Sequence, residues 1–190
     1  GHKAGSSIIT NKRANIQQIT DFKGKTVLIP HFLSVHNLIF DRMLREAGLD
    51  VGVGKDVVFE VVAPSQIPEA MEWDEAGSIG GFIVAEPFGS QVVKAGYGDE
   101  YALSKDIWPN HPCCVFVANG DFVDNNQDGL YELVDSFVKS GKFIGSDTSG
   151  AAQIGAGFLE QDVDVVERVL TNPMDRVTYH ELFPRLDDLN

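Results

Sequence analysis

In the first half of the chain, short unbroken apolar runs alternate with stretches whose apolar positions recur every three or four residues. "TVLI" (Thr26 to Ile29) is β-rich and uninterrupted, the pattern of a strand buried on both faces of a parallel sheet. Ser34 then offers a helix N-cap. Val35, Ile39, Met43 and Ala47 follow at helical spacing, and Leu38, Phe40 and Leu44 widen the apolar stripe. Gly48 stands where a glycine ends a helix. "DVVFEVVA" (Asp56 to Ala63) reads as a second strand and Ile67 to Ala76 as a short helix. "IGGFIVAEPF" (Ile79 to Phe88) reads as a third strand that ends in a polar mouth. This β-α-β-α-β order predicts a parallel sheet with right-handed crossovers.

Upstream, Gly1 to Ser6 reads as a loop and "SIIT" (Ser7 to Thr10) as a short strand. Downstream, "FGSQVVKAG" reads as a short helix, "DEYALSKDIW" as irregular or strand, and "CCVFVAN" (Cys113 to Asn119) as a strand. "DGLYELVDSFVKSGKFI" predicts an amphipathic helix with Leu130, Leu133, Val134, Phe137 and Val138 on one face. From Ala151 onward the pattern is helical, in "AAQIGAGFLE" and then "DVDVVERVLT", closed by Pro173. The chain changes character near "PNHPCCVFVAN", which sets the expected domains at 7–110 and 111–190. The later helices carry wide apolar faces with no sheet of their own to cover, which points to a missing partner layer.

Composition narrows the classes. The 190 residues suit one large domain or two small lobes, and 43% apolar with 23% charged is ordinary for a globular protein. A net charge of −13 argues against non-specific binding to nucleic acid or to anionic membrane. No apolar stretch approaches the roughly 20 residues of a membrane span, and no signal peptide is visible. The two cysteines, Cys113 and Cys114, are adjacent. Neighbouring cysteines rarely bridge each other, because the bond strains the peptide between them. A vicinal metal or redox pair is the less favoured reading, since no further cysteine completes a zinc set.

Ligands of open parallel sheets sit outside the carboxyl ends of the strands. In "IPHFLSVHN", Ser34 and the amides of Val35 and His36 stand at a helix N-terminus, where dipole and amides together favour an anion. His31 and His36 add donors that titrate near neutrality. The plainer alternative is that Ser34 only caps the helix and both histidines lie on the surface. In "VAEPFGS", Glu86 follows a strand directly and can accept from a ligand or hold a cation. The alternative there is a solvated loop carboxylate. Phe32 and Phe88 can wall a pocket or belong to the core. "GHKAGSS" lacks the spacing of a phosphate or dinucleotide loop, and "DFVDNNQDG" lacks the order of an EF-hand and reads as a turn. No nucleophile elbow or catalytic set stands out.

The succession "DFKGKTVLIPHFLSVHNLIFDRMLREAGLD", "VAPSQIPEAMEWDEAGSIGGFIVAEPFGSQVVKAG" and "DIWPNHPCCVFVANGDFV" resembles the periplasmic solute-binding proteins of ABC importers, in the nitrate/sulfonate/bicarbonate branch. The AEPF element, the S-x-H at a helix start and the IWPNHP stretch carry the likeness, which runs from about Gly5 to Leu186. It implies a type II periplasmic-binding-protein-like α/β fold. One parallel-sheet lobe would be present, followed by a return crossing strand and the C-terminal helices of a second lobe. The N-terminal part of lobe one is not among these residues. It also implies a small polar or anionic ligand clamped in an interlobe cleft, no enzymatic activity, and a permease and ATPase complex as partner. The location would be periplasmic, or extracellular and membrane-anchored.

By the same resemblance Gly5, Ser6, His31, Phe32, Ser34, His36, Glu86 and Phe88 are the ligand-binding residues. No cofactor is implied, save calcium with an anionic ligand at Glu86, because a bare carboxylate repels an anion. The chain departs from the branch at Phe88, where tryptophan is expected, and at Cys113 and Cys114. The runner-up reading is an enzyme of this fold resembling the thiamine-pyrimidine synthases, and the third is a sensory or regulatory ligand-binding module.

Overall fold

The computed structural model describes residues 2–180 and 182–183. Leu186, where the resemblance ends, and the rest of 184–190 lie outside the described residues. The chain divides into two compact units: a sheet unit, Gly5–Pro109, and a helical unit made of Gly1–Ala4 with Asn110–Asn190.

In chain order, β1 (His2–Ala4) belongs to the helical unit, and the sheet unit begins with β2 (Ser6–Asn11). There follow β3 (Thr26–Ile29), α1 (Val35–Glu46), β4 (Val58–Val61), α2 (Ile67–Trp73), β5 (Ile79–Ala85), α3 (Phe88–Ala95), β6 (Gly98–Leu103) and α4 (Ser104–Ile107). The five strands of this unit are ordered β4-β3-β5-β2-β6. β3 runs parallel to β4 and β5, while β2 runs antiparallel to both β5 and β6. The sheet is therefore mostly parallel with one reversed strand. That reversal sets Ser6 opposite Ala85 and Ser7 opposite Leu103. The amino end of β2 thus shares one rim with the carboxyl ends of β5 and β6.

Strand alternation builds two cores. Ile8, Val27, Ile29 and Ile83 pack on one face with Phe22, Ile39, Phe40 and Leu44. Ile9, Leu28, Phe82 and Val84 pack on the other with Ile67, Met71 and Val92. Alternate residues thus serve opposite faces, as the pleat requires. Phe22 and Phe40 meet edge to face, 5.2 Å between centroids. Each such side chain, fully buried, contributes about 1.5–3 kcal/mol. α1 has the expected bounds, ending in Ala47 and a Gly48 at φ +81°. No bulky side chain takes that backbone angle cheaply.

The helical unit continues with β7 (Pro112–Cys114), α5 (Gly120–Asn125), α6 (Gln127–Ser146), α7 (Thr148–Leu159), α8 (Val163–Thr171) and β8 (Val177–Thr178). β1 is the middle strand of a small sheet ordered β7-β1-β8, antiparallel to both neighbours. Three expectations change here. The stretch read as an N-terminal loop forms β1, because partners from far along the chain pair with it. The strand expected over Cys113–Asn119 stops at Cys114, the last residue that β1 pairs. The turn expected in "DFVDNNQDG" is largely the helix α5, started by the Asn119 side chain accepting from Asp121 N at 2.8 Å. α7 and α8 pack through Ala152, Ala156 and Val166. The apolar face of α6 is realised but lies open, with Phe137 41% exposed. No helix among the described residues is long and apolar enough to cross a membrane.

Candidate functional site

The segment that joins β3 to α1 organises itself. Ser34 Oγ accepts from Asn37 N at 3.2 Å and donates to the His31 carbonyl at 2.7 Å. The same carbonyl accepts from Ser34 N at 3.1 Å. Leu33 N donates to His31 Nδ1 at 3.0 Å, and Asn37 Nδ2 donates to the Phe32 carbonyl at 2.7 Å. His31 therefore serves its own loop and stays exposed. With Nδ1 accepting, the neutral ring carries its proton on Nε2. These bonds hold the first turn of α1 with its amides facing out of the helix end. Phe32 is 56% and Leu33 91% exposed beside that turn.

His36, in the same turn, points inward. It is 7% exposed, and its Nε2 lies 2.8 Å from Ser6 Oγ. Ser6 N in turn donates to Ser104 Oγ at 3.2 Å. A buried polar line thus runs from α4 through β2 to α1. The plainer alternative of a surface His36 does not hold: its ring sits inside the sheet unit, against a buried serine. Ser104, itself 1% exposed, was missed by sequence reasoning. The only signal for it was a polar residue ending an alternating strand.

Gly5 and Glu86 adjoin this line. Glu86 N donates to the Gly5 carbonyl at 2.8 Å, continuing the β2–β5 ladder by one residue. Glu86 Oε2 accepts from Ser90 N at 3.0 Å, so the carboxylate caps the start of α3. The Glu86–Pro87 peptide is cis. Phe88 is half-buried against the α2 and α3 core, a packing role. The structure therefore gathers Gly5, Ser6, His36 and Glu86, and keeps His31, Phe32 and Ser34 together on the adjacent loop. It sends Phe88 to the opposite face of the sheet. A calcium ion takes six to eight oxygens. The Glu86 carboxylate, which accepts from Ser90 N, supplies at most two of these.

In the helical unit, His2, Cys113 and Cys114 bring their ligand atoms within 4.8 Å of one another. Neither cysteine is in a disulfide. Hydrogen bonding from Cys113 pulls the Cys114 thiol down to about 6, against the opposing effect of burial. Burial pushes His2 below the usual histidine value.

The profile of the NMT1-like family matches residues 3–157. The nitrate/nitrite binding protein NrtA of Nostoc sp. is 25% identical over 129 residues, covering 68% of this chain and 28% of that protein. The nitrate import ATP-binding protein NrtC of Synechocystis sp. is 30% identical over 138 residues, covering 73% of this chain and 20% of that protein. Among solved structures, the ligand binding component of an ABC-type import system from Staphylococcus aureus, with zinc bound, superposes at a TM-score of 0.82 and 25% identity. That match covers 99% of this chain and 61% of the other. The chain thus spans between a fifth and three fifths of these relatives' lengths.

Proposed function

The chain belongs to the NMT1-like family, and on that footing we propose that it is the solute-binding component of an ABC importer, or the ligand-holding part of one. The ligand in this reading is a small polar or anionic solute of the nitrate, bicarbonate or sulfonate class. One observation carries it: the Ser34-capped N-terminus of α1 stands where β3 ends, braced by the His36–Ser6 hydrogen bond. Amides at such a helix end, with the dipole behind them, stabilise an oxyanion even in a chain of net charge −13. The names of the relatives, nitrate-binding and nitrate-importing, support the ligand class.

The same reading supplies the rest. The protein holds its ligand by charge-assisted hydrogen bonds and performs no covalent chemistry. Its partners are the ligand and a permease with its ATPase, a company supported by the likeness to an importer's ATP-binding protein. It works in the periplasm, or outside the cell anchored to the membrane. Calcium enters only as the companion of a bicarbonate-type ligand at Glu86.

Calorimetric titration with nitrate, with bicarbonate in the presence and absence of calcium, and with a short alkanesulfonate tests the proposal. Saturable binding of one of them, weakened by Phe32→Ala in the exposed loop, supports it. If none of the anions binds, the reading fails.

A further inference from the structure

Three ligand-type side chains of the helical unit converge where the ladder between β1 and β7 is irregular. His2 pairs with Cys114 and Lys3 with Pro112. Two consecutive residues of β1 therefore face three of β7, and Cys113 is the extra residue of a β-bulge. In a regular strand, neighbouring side chains leave on opposite faces, so adjacent cysteines cannot grip one ion. The bulge lifts that restriction. Both sulfurs and a His2 ring nitrogen come within 4.8 Å of one another, across two strands.

We propose that His2, Cys113 and Cys114 form a thiophilic metal site, with zinc(II) as its ion and a fourth position open to water. Bond lengths of about 2.3 Å to sulfur and 2.1 Å to nitrogen give a zinc tetrahedron edges of roughly 3.5 Å. The three ligand atoms need to close by little more than an ångström, which side-chain rotation supplies. Two sulfurs and an imidazole select zinc or copper(I) over magnesium or calcium, which want oxygen. An approach path exists, because Cys114 is exposed while His2 and Cys113 are half-buried. The His2 ring lies 5.7 Å from the Tyr179 ring, which limits its swing.

The chemistry of the pair favours a metal over a disulfide. Adjacent cysteines close a bridge only with strain, so a disulfide between these two competes poorly with a metal for the sulfurs. Each thiol gives up its proton to the solvent as the ion binds. The ion would then tie the middle strand of the small sheet to its β7 edge. The site shares no residue with the rim of the sheet unit and does not depend on the anion reading.

The test uses reduced, tag-free protein stripped of metal. Zinc is titrated in competition with a chromophoric chelator, and cobalt(II) is added in parallel as a spectroscopic probe. The proposal expects one zinc per chain and a thiolate-to-cobalt charge-transfer absorption. The double variant C113S/C114S loses both, while His2→Ala keeps the thiols and weakens zinc binding by about tenfold or more. Zinc raises the melting temperature of the unaltered protein and leaves that of the double variant unmoved. Circular dichroism checks that the variants fold, and because His2→Ala retains both cysteines it provides an independent probe. Undiminished zinc uptake by C113S/C114S overturns the proposal. So does the absence of stoichiometric uptake by the reduced protein, or a cobalt spectrum without thiolate bands.

Discussion

Ser6 Oγ and His36 Nε2 lie 2.8 Å apart, joining the first residue of β2 to the first turn of α1. Both are buried. That contact fixes how the N-terminal end of α1 meets the sheet.

His36→Ala is therefore expected to act on stability as well as on binding. It leaves the Ser6 hydroxyl without this partner in a buried place, which costs about 1–3 kcal/mol, and removes ring packing besides. A surface histidine would give no change in melting temperature. His36→Gln, which can reach Ser6 through its amide, is expected to recover part of the loss. Chemical denaturation of the two variants beside the parent measures it, and equal midpoints for all three would refute a bracing role.

Ser34 offers a cleaner separation of cap from contact. Its hydroxyl holds Asn37 N and the His31 carbonyl. Ser34→Ala is expected to cost about 1 kcal/mol and Ser34→Gly a few tenths. The affinity for an oxyanion is expected to fall in both, because both lose the hydroxyl that orders the loop. A urea melt and a titration on the same samples make the comparison. Affinity that follows stability, spared in Ser34→Gly, would mean that the helix end alone does the work.

How far the sequence could be read follows from where each interaction originates. α1 was legible to the residue, because cap, stripe and terminal glycine all lie within one local segment. β3 was legible for the same reason. β1 was not, since nothing in "HKA" encodes a strand until β7 and β8 arrive from more than a hundred residues away. The helical character of α6 was readable from spacing. That its face lies open in Phe137, Val134 and Val138 was legible too, not from the period but from the lack of any strand pattern for it to cover. At the site, the Ser34 cap was local and visible, while the inward turn of His36 depends on Ser6, thirty residues upstream. The clustering of His2 with the cysteines needed a bulge, which leaves no mark in a pattern of apolar positions.

Gly81 tests the antiparallel placement of β2. It pairs with Thr10 in the β2–β5 ladder, and a Cβ there would run into the Ile9 carbonyl, a backbone atom that cannot rotate away. Gly81→Ala is expected to destabilise the sheet unit by about 1–3 kcal/mol through overpacking. Gly120, which has nothing within 4 Å, is the control. Similar small losses for Gly81→Ala and Gly120→Ala in thermal melts would contradict the close approach of these two strands.

Asp74 ties three elements together, and its charge makes that tie depend on pH. Its carboxylate accepts from Asn11 Nδ2 at 2.9 Å, from Ser78 N and Oγ at 3.0 and 2.7 Å, and from Ile79 N at 2.8 Å. The end of α2, the start of β5 and the end of β2 meet on this one group. Burial alone would raise its pKa, but the bonds from Ser78 and Ile79, with the nearby Lys25, outweigh it and hold the group below the usual aspartate value. A depressed folded-state value means that the unfolded chain takes up the proton first as the solution is acidified. The contribution is therefore whole above the unfolded value of about 3.9 and disappears as pH falls through the lower folded value. Asp74→Asn keeps one acceptor oxygen and no charge. It is expected to lower stability at neutral pH by about 2 kcal/mol and to flatten the acid limb of the stability curve. Denaturation midpoints for parent and variant between about pH 5 and pH 2 measure both effects. Parallel acid limbs in the two proteins would show that the carboxylate's bonds contribute nothing that protonation can remove.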